Sequence, residues 1–214
     1  MGVGFDEIVV ATGNPHKLEE VSHVLAGIGV RAVSLRDVKS ADGAAASEAP
    51  EPVEDAETFE GNAQIKARYY AALTGRVCLA DDSGLEVDAL GGAPGVYSAR
   101  YAGVDGDRAA RDAANNAKLI GAISSVPVEE RAARFVCAMC VARPDGEIVA
   151  EARGTFAGVV IEEPRGSNGF GYDPLLELPD GRTSAELSPA EKNAQSHRGV
   201  ATRMIAELLA ALDL

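Results

Sequence analysis

Glu7-Ile-Val-Val-Ala-Thr-Gly-Asn-Pro-His-Lys17 is the stretch that decides the fold class. Glu7 to Ala11 is apolar and β-branched, so it reads as a strand. Thr12-Gly13-Asn14 is a turn. Asn14 before Pro15 forms an N-cap and first-position pair for a helix. Leu18, Val21, Leu25 and Ile28 then recur at helical spacing, and Gly27 and Gly29 end the run. A strand feeding directly into a helix is the building unit of an α/β protein.

The same reading extends along the chain. Arg31 to Leu35 is a candidate second strand. Ser40 to Glu54, rich in Ala, Pro and acid, reads as a mobile surface loop too short to separate independent cores. Thr58 to Thr74 is a second helix with Phe59, Ala63, Ala67 and Tyr70 on one face. Arg76 to Ala80 is a short strand that runs into Asp81-Asp82-Ser83-Gly84, and Leu85 to Leu90 alternates as a strand does. Asp107 to Ile123 is Ala-rich and helical. Arg134 to Arg143 and Glu147 to Arg153 flank Pro144-Asp145-Gly146, a hairpin signal. Ser188-Pro-Ala-Glu191 carries a capping box. Ala201, Ile205, Leu208 and Leu212 mark a last amphipathic helix. Helices and strands do not alternate strictly, which predicts a mixed rather than a purely parallel sheet.

Composition bounds the partners. The 214 residues are 46% hydrophobic and 25% charged, which fits a folded protein and excludes a disordered or collagen-like chain. No apolar run nears the roughly 18 residues of a membrane span, so no membrane partner is expected. Met1 to Glu7 lacks the pattern of a signal peptide, which predicts a cytoplasmic protein. Asp and Glu number 33 against 20 Lys and Arg, a net charge of −13. Such a surface repels a nucleic-acid backbone but leaves room for one small anion in a local basic pocket. Cys78, Cys137 and Cys140 are an odd set in a long chain, so no disulfide framework is expected. Cys137 and Cys140 have CxxC spacing, but they lie inside an apolar strand-like run with no second Cys pair or neighbouring His.

Four polar clusters sit where a plain core or turn would not need them. Thr12, Gly13, Asn14 and Lys17 surround a helix N-terminus, whose free N–H groups suit a phosphate. Taken alone, an ordinary strand–turn–helix accounts for them, and the Walker A pattern is absent. Asp81 and Asp82 are adjacent carboxylates at a strand end, which repel unless a cation sits beside them. Hard oxygen ligands of that kind suit Mg²⁺, although an Asp-Ser-Gly turn would explain one of the pair. Asn62 and Lys66 share a helix face, with Glu54 just before that helix, and a solvated face explains them in isolation. Gly169-Phe-Gly-Tyr-Asp-Pro174, with Lys192 and Ser196-His197-Arg198, can present a flat ring and hydrogen-bonding groups to a base.

Six motifs now stand in order: Thr12-Gly-Asn-x-x-Lys17, Thr58-Phe-x-x-Asn62-Ala-x-x-Lys66-Ala67, Ala80-Asp-Asp-Ser-Gly-Leu85, Gly91-Gly-x-Pro-Gly95 with Ser98-Ala-Arg100, Gly169-Phe-Gly-Tyr-Asp-Pro174, and Lys192 with Ser196-His-Arg198. In this series the chain resembles the inosine/xanthosine triphosphate pyrophosphatases, from about Ile8 to the C-terminal helix. The resemblance implies a single α/β domain over 1–214 with an elongated mixed β-sheet flanked by helices, two lobes and a central nucleotide cleft. It implies hydrolysis of ITP, dITP and XTP to the monophosphate and pyrophosphate, with Mg²⁺ as cofactor and a homodimer as the assembly.

By that resemblance Asp82 is the catalytic base and lies at the metal with Glu54 and Asp81. Thr12, Gly13, Asn14, Lys17 and Lys66 hold the triphosphate, and Ser83 contacts the nucleotide. Phe170, Gly171, Tyr172, Asp173, Lys192, His197 and Arg198 form the base and sugar pocket. Arg198 or His197 facing position 6 would accept a 6-oxo purine and clash with adenine. The 40–54 loop is longer and more acidic than the family pattern, and Glu48, Glu51 and Glu57 stand close to Glu54. Two other readings use the same residues. One is a metal-dependent hydrolase of other modified nucleotides, and the other is a catalytically silent nucleotide-binding module.

Overall fold

The computed structural model describes residues 6–41 and 43–212. The expectation for Met1 to Glu7 therefore falls mostly outside the described residues. Six strands pair in the order β2-β1-β3-β4-β5-β6. They are β1 (Glu7–Val10), β2 (Arg31–Ser34), β3 (Cys78–Val87), β4 (Ala132–Ala142), β5 (Ile148–Val160) and β6 (Leu176–Glu177). The helices are α1 (Pro15–Ala26), α2 (Phe59–Thr74), α3 (Arg108–Ile123), α4 (Pro189–Gln195) and α5 (His197–Ala210). β1 runs parallel to β2 and β3, whereas β5 and β6 are antiparallel, so the sheet is mixed as expected. Among the described residues no helix is long and apolar enough to cross a membrane.

The chain divides into two compact units. The first comprises Met1–Asp82, Cys137–Gly154 and Arg198–Leu214, and the second Ser83–Val136 and Thr155–His197. Each has its own core. In the first, Ile8, Val10 and Leu79 from the strands pack with Val21 and Leu25 of α1 and Ile205 and Leu209 of α5. In the second, Leu85 and Val87 pack with Leu119 and Ile123 of α3 and with Phe156, Leu175 and Leu187. Those α1 and α3 residues stand four apart in each helix, so each helix turns one stripe inward.

Local chemistry sets the starts of three helices. Thr58 accepts the Gly61 N–H at 3.1 Å, Asp107 accepts the Ala110 N–H at 2.9 Å, and Ser188 with Glu191 forms a full capping box. The hairpin at 144–146 closes with Arg143 donating to Glu147 at 2.9 Å.

Three elements differ from expectation. β3 runs unbroken through Asp81-Asp82-Ser83-Gly84, where a turn was one reading. Flanking apolar residues Leu79, Ala80, Leu85 and Val87 are all buried, so tertiary packing overrides the local turn preference. β5 continues to Val160 rather than ending near Arg153. Gly158 makes this possible, because a Cβ there would lie 2.3 Å from the Glu177 carbonyl of β6. The 40–54 segment, expected to be a mobile loop, carries a short 3₁₀ turn at Ala46–Glu48. Ala46 is fully buried and donates to the Val38 carbonyl at 2.9 Å, and Tyr69 donates its hydroxyl to Pro50 at 2.8 Å.

All three cysteines are free and buried. Burial pushes the Cys137 and Cys140 thiols up to about 12, and Cys78 higher. Cys137 and Cys140, three apart on β4, point to opposite faces and form no metal pair. The native protein should therefore leave a thiol reagent unreacted at neutral pH and titrate three thiols after unfolding. Rapid labelling of the native state would contradict this burial.

Candidate active site

In the first unit, β1 delivers the Thr12 turn to the start of α1. The Thr12 hydroxyl accepts the Asn14 N–H at 3.1 Å, and the Asn14 carbonyl accepts the Leu18 N–H at 3.2 Å. The turn and helix start are as the sequence reads, and Gly13 is exposed beside them. Lys17, one turn into α1, pairs with Asp81 at 2.7 Å. Arg198, buried in the first turn of α5, lies 3.8 Å from Asp81 and 3.5 Å from Glu20. The Cys137 thiol donates a long contact to Asp81 at 3.9 Å. Burial alone would raise the Asp81 pKa, but Lys17, Arg198 and Lys66 outweigh it and hold the carboxyl well below the usual range.

Asp82 has different company. Asn62 and Lys66, four apart on α2, both donate to it at 3.2 Å. Asn62 also accepts the Ala56 N–H at 3.0 Å, which pins the segment ahead of the helix. Lys66 reaches Glu54 at 3.0 Å, so one ammonium sits between two carboxylates. Burial raises the Asp82 pKa and Glu54 adds to it; Lys66 and Asn62 offset only part. Burial pulls the Lys66 pKa down, but Asp82, Asp81 and Glu54 more than reverse this.

Asp81 and Asp82 therefore make their direct ion pairs with different lysines, Asp81 with Lys17 and Asp82 with Lys66, while Lys66 also acts on Asp81 at longer range. Successive strand residues point to opposite faces, and each carboxylate has its own partners. Among the described residues no three His, Cys, Asp or Glu side chains group as a ready metal cage. Asp81 is committed to Lys17 and Arg198. Glu54 and Asp82 are the pair that suits Mg²⁺, which binds through one or two carboxylates plus substrate phosphates. Of the neighbouring acids, Glu54 is the one on Lys66. Glu51 joins it in the wall of a pocket of about 210 Å³, which Thr12, Gly13, Lys17, Lys66 and Asp81 also line. Arg36 and Ser47 complete that wall, and the sequence reading missed both.

In the second unit, the 166–174 loop holds an aromatic face. Gly169 has φ +79°, and a Cβ there would lie 2.1 Å from Asp173 Oδ2, so only glycine fits. Buried Asp173 accepts from Phe170 N–H and Ser184 Oγ, each at 2.8 Å, and from Lys192. Three protein donors occupy it, so Asp173 braces the loop rather than standing open. Tyr172 donates its hydroxyl to the Ser98 carbonyl at 2.8 Å, and burial pushes its pKa up. Phe170 stays 42% exposed with the Arg108 guanidinium 4.1 Å from its ring centre. His197 stacks on Phe135 with ring centres 5.1 Å apart. Ser83 lies half-buried in β3.

His197 and Arg198 were both expected in the base and sugar pocket, one or the other facing position 6. Arg198 lies near Asp81 and Glu20, and His197 stacks on Phe135. The sequence reading also missed Asp112 and Asn116 of α3, which hold Gly171. Their signal was the four-residue repeat Arg108, Asp112, Asn116, hidden in a helix read only as Ala-rich.

Fold and site define the class: an α/β protein whose strand–turn–helix, lysines and paired carboxylates suit a phosphorylated ligand. The Ham1 family model matches residues 8–208, and the chain belongs to the Ham1 family. It is 50% identical over 211 residues to a dITP/XTP pyrophosphatase of Nocardia farcinica, covering 96% of this chain and 95% of the relative. It is 47% identical over 200 residues to one of Exiguobacterium sibiricum, covering 93% and 94%. A HAM1 protein from Coxiella burnetii superimposes with TM-score 0.83 at 38% identity, covering 96% of this chain and 98% of that one.

Proposed function

We propose that this chain hydrolyses non-canonical purine nucleoside triphosphates, dITP, ITP and XTP, to the monophosphate and pyrophosphate. The observation that carries the reading is Asp82: a carboxylate oriented by two donors, Asn62 and Lys66, beside Glu54. The names of the relatives support the substrate class. In this mechanism a water oxygen bonds to the α-phosphorus, the bond from that phosphorus to the bridging oxygen breaks, and Asp82 takes the water proton. Thr12, the α1 N-terminus and Lys17 hold the phosphates of the leaving group, and Lys66 balances charge beside Asp82. Glu54 and Asp82 would hold Mg²⁺, which supplies positive charge to the phosphate oxygens and lowers the pKa of water.

Phe170 offers a stacking surface, and His197 with Lys192 offers donors to a 6-oxo purine. The net charge of −13 supports a small-molecule substrate and no nucleic acid. A homodimer in the cytoplasm completes the proposal. The test is pyrophosphate release with Mg²⁺ from dITP and XTP beside dATP and dGTP. The expected preference in kcat/KM is roughly a hundredfold or more for the first two. Equal release from all four would discard the base pocket, and release from none would discard the reaction.

A further inference from the structure

Helix α3 carries Arg108, Asp112 and Asn116 at four-residue spacing, hence on one face. All three reach the same two residues of the aromatic loop. Asp112 Oδ2 accepts the Gly171 N–H at 3.0 Å, and Asn116 Nδ2 donates to the Gly171 carbonyl at 3.0 Å. Both polar backbone groups of one residue are thus taken by one helix. Arg108 lies over the neighbouring Phe170 ring at 4.1 Å and pairs with Asp112 at 3.8 Å. The next residue round the helix extends the grip. Asn115 donates to the Ser98 and Ala99 carbonyls at 3.3 Å and accepts the Ala102 N–H at 2.7 Å. Ser98 is also the residue that receives the Tyr172 hydroxyl.

This scaffolding does not bury the ring it surrounds. With the guanidinium already in place Phe170 remains 42% exposed. A turn that merely closes the fold needs no such tethering of an exposed aromatic. A platform for stacking does, because stacking depends on the plane of the ring and on its offset from the partner.

We propose that Asp112 and Asn116 are positioning residues that set the Phe170 ring as the stacking surface for the purine, with Arg108 backing that ring. The inference rests on the nucleotide reading above and adds to it a determinant of base affinity outside the aromatic loop. Asn116 acts through Gly171, and Asp112 through Gly171 and Arg108, so their loss loosens the base end and leaves the phosphate chemistry intact.

The experiment compares Asp112→Ala and Asn116→Ala with the wild type for dITP turnover, for inhibition by inorganic pyrophosphate, and for melting temperature. Each variant should raise KM for dITP about tenfold, the equivalent of about one hydrogen bond, with kcat held within about twofold. The inhibition constant of pyrophosphate, which has no base to stack, should stay unchanged. Asp112→Asn keeps an acceptor for the Gly171 N–H and should recover most of the loss. It also carries the test should Asp112→Ala fail to fold. An unchanged KM with only a lower melting temperature would make the clasp purely structural and overturn the proposal. An equal loss of pyrophosphate affinity would overturn it too, as general damage. A wild type inactive on dITP would remove the nucleotide reading and this inference together, whereas an active wild type with unaffected variants sinks only the inference.

Discussion

Asp82→Asn should turn over dITP about a hundred to ten thousand times more slowly than the wild type, the range a general base contributes. Its KM should change by no more than a few-fold. The amide keeps the shape of the carboxylate and can still accept from Lys66, but it cannot take a proton from water. The same variant should melt at or above the wild-type temperature. Folding raises the Asp82 pKa through burial and through Glu54, so the ionised carboxylate costs the folded state stability at neutral pH. That cost grows as pH rises past the ordinary carboxylate value, and the neutral amide does not incur it. Lys66 retains Glu54 as a partner in the variant. Loss of turnover with retained or improved melting is the signature of a side chain kept for chemistry. Turnover within threefold of the wild type would remove Asp82 from the reaction, and a collapse in melting temperature would mark it as structural instead.

The legible parts of this chain are those whose cause is local. The strand–turn–helix from Glu7 to Ala26 follows from a β-branched run, an Asn-Pro step and a 3.6-residue repeat, all visible within about twenty letters. The Thr58 and Ser188 caps are equally local, and both stand where their residue types place them. What the sequence concealed has non-local causes. Asp81-Asp82-Ser83-Gly84 has turn chemistry, and only buried neighbours on either side keep it extended within β3. That single difference matters for the site, since an extended backbone sends adjacent carboxylates to opposite faces and gives them different direct partners, Lys17 for Asp81 and Lys66 for Asp82. β5 overruns its expected end because Gly158 admits the backbone of a strand nearly twenty residues later. Arg198 reads as a base-contacting residue by its place in a motif. Its guanidinium also lies 3.8 Å from Asp81, a partner 117 positions earlier that no spacing argument could supply.

Asp81→Asn should have the opposite profile from its neighbour's variant. Asp81 is buried and matches Lys17 at 2.7 Å and Arg198 at 3.8 Å. Removing one member of a buried ionic cluster costs about 3–5 kcal/mol, because the remaining charge stays buried without its partner. Arg198 is that remaining charge: it is buried, and its Nε makes no hydrogen bond. For a chain of this length the loss corresponds to roughly 6–20 °C in melting temperature. The pH dependence has a definite sign. Lys17 and Arg198 hold the folded Asp81 pKa below its unfolded value near 3.9, despite burial. Its stabilisation is therefore complete above about pH 5 and drains away as pH falls through the unfolded value towards the folded one. The gap between wild type and variant should be flat from about pH 5 to 8 and should close below about pH 4. Adding Arg198→Met should recover part of the loss, since Lys17 and Glu20 are both partly exposed and can turn to water. An Asp81→Asn protein melting within 2 °C of the wild type, at most about 1 kcal/mol by the same conversion, would show that the cluster contributes little net stability. Asp81 would then have to be placed with Asp82, as a carboxylate kept for the reaction rather than for the fold.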